Sequence, residues 1–143
     1  MESLHYLLMK AHTQLNRSIM ARASRQGLTP GQPKILEFLL AHGEAEQKAI
    51  AAHCEIEPAT VGSILLRMEN AGLISRRQRE GNRRSLYVSL TASGGQAAQT
   101  MAQIFQEEDA RAAASLSPEE LGQLKALLSR LNSNASLSEA RHE

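Results

Sequence analysis

Aromatic residues are nearly missing from this 143-residue chain: two Phe, two Tyr and no Trp. A core built on stacked rings is thereby excluded, and the buried volume must be mostly Leu, Ile, Ala and Met. Cysteine occurs once, at Cys54, so no intramolecular disulfide can form, which fits a reducing cytosol. Long apolar runs are lacking too. Leu7-Leu8-Met9 is flanked by polar residues, so the sequence predicts neither a signal peptide nor a membrane span. Net charge is scarce, only +1, which argues against general stickiness toward polyanions.

Chemistry-bearing constellations are equally thin. There is no glycine loop to cradle a phosphate and no Ser, His and acid set, and the lone cysteine has no evident base. No catalytic residue, enzymatic activity or cofactor is therefore expected. His5, His12, His42 and His53 raise the question of a metal, but zinc needs three or four converging ligands. His5 and His12 stand two turns apart on one helix, so no metal site is expected.

What is present is concentrated in residues 57–91. Val61, Ile64, Leu65 and Met68 repeat at the spacing of one buried helix face over residues 58–71. Thr60, Ser63 and Arg67 share another face. Gly72 can supply the left-handed cap. Residues 76–84 then hold five arginines, Arg76, Arg77, Arg79, Arg83 and Arg84, against the single Glu80. Gly81-Asn82 is a turn signal in the middle. Leu86, Val88 and Leu90 alternate with Tyr87, Ser89 and Thr91, the period of a half-buried strand. The order is helix, strand, cationic turn, strand. Because the net charge is so small, this excess of arginine makes the rest of the chain acidic, and it marks a localised polyanion site.

The remainder reads as helices. Residues 3–26 carry Leu4, Leu7, Leu8, Ala11, Leu15 and Ile19 on one stripe. Thr29 as cap, Pro30 at the first position and Gln32 predict the start of a second helix, with Pro33 still in its first turn and Ile35, Leu36, Leu39 and Leu40 inward, ending at His42-Gly43. Ala45 to Cys54 predicts a third helix, with Ala49, Ile50 and Cys54 inward. With the next helix, three residues on, it forms a helix-turn-helix pattern. Thr91 can cap a fifth helix through Ala97, Ala98, Met101, Ile104 and Phe105 to about Ala114. Ser117-Pro118-Glu119-Glu120 is a capping signal for a sixth, carrying Leu121, Leu124, Leu128 and Leu131. Fraying is expected from Asn132. The first, fifth and sixth helices present more apolar surface than a small winged unit covers, which a two-fold dimer would bury.

The order of elements resembles the MarR family of bacterial transcriptional regulators over roughly residues 4–131. The most specific match is ungapped: Asn70-Ala71-Gly72-Leu73-Ile74, Arg76-Arg77, Arg83-Arg84, Val88-Ser89-Leu90-Thr91 and Gly94, joined by Leu28-Thr29, Gln32 and Leu36. The resemblance implies a homodimeric winged helix-turn-helix protein that binds a pseudo-palindromic operator. It also implies release from DNA by a small phenolic or lipophilic ligand or an oxidant. Three departures stand out. Asn82 replaces the usual Asp before the wing-tip arginine, the Asp that can pair with an arginine at the wing base, here Arg76. Glu57 replaces the usual Ser or Asp cap of the recognition helix, and Gly62 a common Ser.

The expected architecture is mainly α with a small β-wing. Residues 28–91 would form the DNA-binding region, 1–27 and 92–136 a helical dimerisation region, and 137–143 a frayed tail. Ala59, Thr60, Ser63 and Arg67 are the candidates for base edges in the major groove. Arg67 has an alternative use in a salt bridge with Glu69 or the wing. Gln47 and Lys48, at a helix start, suit phosphate. Arg76, Arg77, Arg79, Asn82, Arg83 and Arg84 would hold backbone phosphates, with Arg83 or Arg84 entering a minor groove. His12, Asn16 and Met101 are candidates for the ligand pocket implied by the resemblance. Cys54 falls where such units bury a leucine, and it reads as a small core hydrophobe. The function expected is a dimeric bacterial repressor, cytoplasmic and nucleoid-associated. The alternatives are a protein-binding winged helix or an oxidant sensor working through Cys54.

Overall fold

The computed structural model describes residues 1–142, without the side chains of 82–84 and 135–142. Nine elements follow in order: α1 (Leu4–Arg25), α2 (Gln32–His42), β1 (Ala45–Glu46), α3 (Gln47–Cys54), α4 (Pro58–Asn70), β2 (Ile74–Arg79), β3 (Asn82–Leu90), α5 (Ala92–Ala112) and α6 (Pro118–His142). The expected mainly helical body with a small β-wing is what is seen. Backbone contacts group into one unit over Met1–Glu108 and a second over Asp109–Glu143.

Within the first unit one aliphatic core joins every helix to the sheet. Ile35, Leu36 and Leu39 of α2, Ile50 and Ala51 of α3, and Val61, Leu65 and Met68 of α4 surround Ile74 and Val88 of the strands. Ile19 and Ala23 of α1 and Ala98, Met101 and Ile104 of α5 complete it. The i, i+3, i+4 periodicities of α4 and α5 thus translate directly into burial.

Helix ends explain the boundaries. Gly72, at φ 77°, lets α4 close: the Leu73 N–H donates to the Met68 carbonyl at 2.9 Å and the Gly72 N–H to that of Glu69 at 3.0 Å. The Thr91 hydroxyl donates to the Gly72 carbonyl at 2.6 Å and accepts from the Gly94 N–H at 3.0 Å, so it caps α5 as its position predicts. In the second unit Ser117 and Glu120 form the reciprocal capping box, at 2.9 and 3.1 Å.

Several expectations need correction. The cap of α2 is Gly31 at φ 90°, not Thr29, but the Gln32 half of the expected capping box is present: its side chain accepts from the Thr29 N–H at 3.1 Å. Leu40 is exposed and Phe38 buried in its place, because Phe38 turns toward α3 and packs on the His53 ring, 4.6 Å between centroids. Residues 45–46 are not helical. Ala45 and Glu46 pair with Val88 and Tyr87 as the third strand of the sheet, so α3 starts at Gln47. That start leaves Ala49 exposed and brings Ala51 inside. The hairpin turns at Glu80-Gly81, one residue earlier than expected, and α5 ends at Ala112. The α6 backbone stays helical past Asn132 to His142; Glu143 and the side chains expected in a frayed tail lie outside the described residues.

The first half of α1 leaves its stripe uncovered: Leu4, Leu7 and Leu8 are exposed, and the stripe engages the core only from Leu15 onward. In the second unit Leu124 and Leu127 of α6 are exposed as well.

Candidate nucleic-acid interface

The buried face of α4 fixes its opposite face outward. Ala59, Thr60, Ser63 and Arg67 are all exposed. Ser63 turns its hydroxyl back to the Ala59 carbonyl, 3.4 Å away. Arg67 makes no ion pair among the described residues; Glu69, its expected alternative partner, is committed elsewhere. Glu57 gives no side-chain hydrogen bond to the helix start, as its poor capping character predicts, which leaves first-turn N–H groups open to an outside acceptor.

Gln47 and Lys48 do stand at the start of α3, but only Lys48 is fully exposed. The Gln47 amide oxygen accepts from Arg76 Nη1 at 3.4 Å. A Cβ on Gly62 would lie 3.5 Å from Gln47 Nε2, so the glycine faces α3 at ordinary contact distance.

The sheet runs β1-β3-β2, wholly antiparallel. Register pairs Ile74 with Leu90, Arg76 with Val88 and Arg77 with Tyr87, and it slips between Gln78 and Arg79. Because strand residues alternate sides, Ile74, Arg76, Val88 and Leu90 share the inner face, and Ser75, Arg77, Tyr87 and Ser89 the outer. The five-arginine run is thereby divided. Arg76 lies under the sheet with its side chain 16% exposed, and Nη2 bonds Glu69 of α4 at 3.1 Å. It is a brace between wing and recognition helix rather than an open cation.

On the outer face Glu44, just before β1, gathers three partners. Arg77 donates from both Nε and Nη2 at 3.1 Å, Arg79 from Nη2 at 2.9 Å, and the Ser89 hydroxyl at 2.6 Å. The Ser89 hydrogen bond, then those from Arg79 and Arg77, hold the Glu44 carboxyl at about 2. Arg79 also lies 4.1 Å from the Tyr87 ring centroid, and the Tyr87 hydroxyl donates to Glu46 at 2.9 Å. Asn82, Arg83 and Arg84 open β3, and their side chains lie outside the described residues. Glu44, Glu46, Glu69 and Tyr87 are the members that sequence reading misses. The one signal for the first two is an acidic pair at strand spacing immediately before α3.

The candidate ligand residues are not brought together within the chain: His12 and Asn16 are exposed on α1, whereas Met101 is fully buried in the core. An open polar hollow between α1 and α5 is lined instead by Arg22, Arg25, Gln26, Thr100, Gln103 and Ile104. Cys54 is buried, donates weakly to the Lys34 carbonyl at 3.6 Å, and has its thiol pKa pushed up by burial, the opposite of an activated thiolate. Among the described residues no three His, Cys, Asp or Glu side chains are placed to hold a metal.

Comparison with known proteins agrees with this geometry. The sequence model of the MarR family matches residues 28–86. The HTH-type transcriptional repressor Rv2887 of Mycobacterium tuberculosis is 28% identical over 131 residues, 92% of this chain and 94% of that protein. The HTH-type transcriptional repressor MdtR of Bacillus subtilis is 33% identical over 92 residues, 64% of this chain and 57% of its own length. The crystal structure of the S. aureus MepR–DNA complex superposes with a TM-score of 0.84 at 26% identity, covering 94% of this chain and 99% of that one. With its outward-facing α4 face, its braced arginine hairpin and these relatives, the chain is similar to the MarR family of winged helix-turn-helix transcriptional regulators, through that family's model over residues 28–86 and through named repressors over most of its length.

Proposed function

We propose that the protein is a homodimeric, sequence-specific repressor of bacterial transcription that acts without enzymatic chemistry, and that a small apolar or phenolic ligand relieves repression. The observation that carries the DNA reading is the exposed α4 face of Ala59, Thr60, Ser63 and Arg67 beside a hairpin rich in arginine. Residues 28–91 would supply the DNA contacts, with α4 reading bases and Lys48 and the wing tip holding phosphates. The flanking helices would pair two copies: the exposed Leu4, Leu7 and Leu8 call for an apolar partner, and a second copy places two recognition helices on one pseudo-palindromic site. Relatives named as repressors support the sign of regulation. Ligand control is supported by the likeness to the MarR family over residues 28–86. No helix among the described residues is long and apolar enough to cross a membrane, and a cytoplasmic, nucleoid-associated location follows from the role proposed.

The test is binding to the DNA upstream of its own gene across a salt series. Affinity should fall with log salt by several units of slope, and Arg83→Ala with Arg84→Ala should reduce that slope by about 2 for each bound subunit. A salt-independent affinity, or binding only to a protein partner, would favour the protein-interaction alternative.

A further inference from the structure

Two of the five wing arginines already hold an anion. Arg77 and Arg79 converge on the Glu44 carboxylate, which Ser89 fixes to the sheet at 2.6 Å and which is only 19% exposed. A guanidinium fork that meets a carboxylate in two-point geometry is the same fork that meets a phosphate. Glu44 therefore occupies the Nε–Nη2 edge of each guanidinium that a DNA backbone would use, while the arginine side chains stay 67% and 53% exposed. We infer that Glu44 is an internal counter-ion of the wing, a positioning residue that masks Arg77 and Arg79 from the phosphates of arbitrary duplex and so holds down sequence-independent binding. This inference rests on the DNA reading of the hairpin given above.

The logic is a count. Sequence-independent binding depends on how many phosphates are neutralised, whatever the bases. One carboxylate cancels one of the two guanidinium charges, and taking that charge from the count weakens binding to every sequence alike. The exposed face of α4 keeps its base contacts, so discrimination rises. Phosphate can win an arginine from Glu44 only where the rest of the interface already holds the backbone in place. Ser89 and the Tyr87 ring keep both partners in register, so the mask does not depend on a freely rotating side chain.

The test uses the full chain and a duplex of random sequence. Glu44→Gln removes the charge but leaves an acceptor for Ser89. It should tighten random-duplex binding roughly three- to tenfold near 0.1 M salt and steepen the log–log salt slope by about 1 to 2. Arg77→Gln with Arg79→Gln should flatten that slope less in the otherwise unaltered chain than in the Glu44→Gln background, where it should at least cancel the gain. An unchanged or weaker random-duplex affinity in folded Glu44→Gln overturns the inference. So does a double arginine variant that flattens the slope equally in both backgrounds, with Glu44→Ser as the second background should Glu44→Gln not fold. A parent chain that binds no duplex at any salt takes the DNA reading down as well. A parent that binds with a steep slope matched by Glu44→Gln removes only the counter-ion.

Discussion

Arg76 of the wing and Glu69 of the recognition helix are joined by a hydrogen-bonded ion pair at 3.1 Å, beneath the sheet. The arginine also reaches Gln47, so three elements meet at one guanidinium. Because Glu69 retains some access to water, losing the pair should be costly but survivable. Arg76→Ala should lower unfolding stability by about 1 to 2 kcal/mol in a urea titration. The salt slope of DNA binding should stay almost unchanged, which separates a brace from a phosphate contact.

Gly94 and Gly95 make a matched pair of probes. A Cβ on Gly94 would overlap the Leu73 carbonyl oxygen, which belongs to backbone and cannot swing away, whereas one on Gly95 would meet nothing within 4 Å. Gly94→Ala should cost about 2 to 4 kcal/mol, measured by thermal or urea unfolding. Gly95→Ala, in the first turns of α5, should be neutral or should stabilise by up to about 1 kcal/mol.

Acid should act through Glu44. Its carboxyl is lowered from an ordinary 4.5 to about 2 in the folded chain, chiefly by the Ser89 hydrogen bond and then by the two arginines. A depressed pKa means that the folded state holds the proton less tightly than the unfolded one. The associated stability is therefore complete above the unfolded value, and it drains away as pH falls toward the folded value. The stability gap between the parent and Glu44→Gln should be constant near neutrality and should narrow between about pH 5 and pH 2. A gap independent of pH in urea titrations across that window would contradict the geometry.

Cys54 should be chemically quiet. Its burial and raised thiol pKa predict slow labelling by a thiol reagent in the native state and rapid labelling in denaturant. Peroxide at neutral pH should leave DNA affinity unaltered, in the parent and in Cys54→Ser alike. A peroxide response abolished by that substitution would restore the sensor reading.

Most local signals in the sequence were reliable, the Thr29 cap, the inward Leu40 and the Gly81-Asn82 turn excepted, and distant pairing was not. The α4 stripe, the Gly72 stop, the Thr91 cap and the Ser117 capping box depend on residues three to five apart, and each appears where periodicity puts it. The two-residue strand β1 has no such signal. Ala45 and Glu46 are extended only because β3, more than forty positions later, offers them a ladder. The same distance hides Glu44. Counted along the chain, the arginine run looks like one open cationic loop. Folded, period-two alternation sends Arg76 under the sheet to Glu69 and Arg77 over it to Glu44, a distinction invisible until strand register is known. The stripe of α1 was legible too, and its first half is exposed.

One hydroxyl has a mechanical meaning. Thr91 ties Gly72, the residue that closes α4, to the first turn of α5, and its own N–H donates to the Leu73 carbonyl at 3.1 Å. The two helices are nineteen positions apart in sequence at this joint, yet they are pinned end to end with no slack. A tilt imposed on the start of α5 therefore pulls directly on the end of α4, as a lever hands on force, by a route that bypasses the hairpin lying between them in the chain.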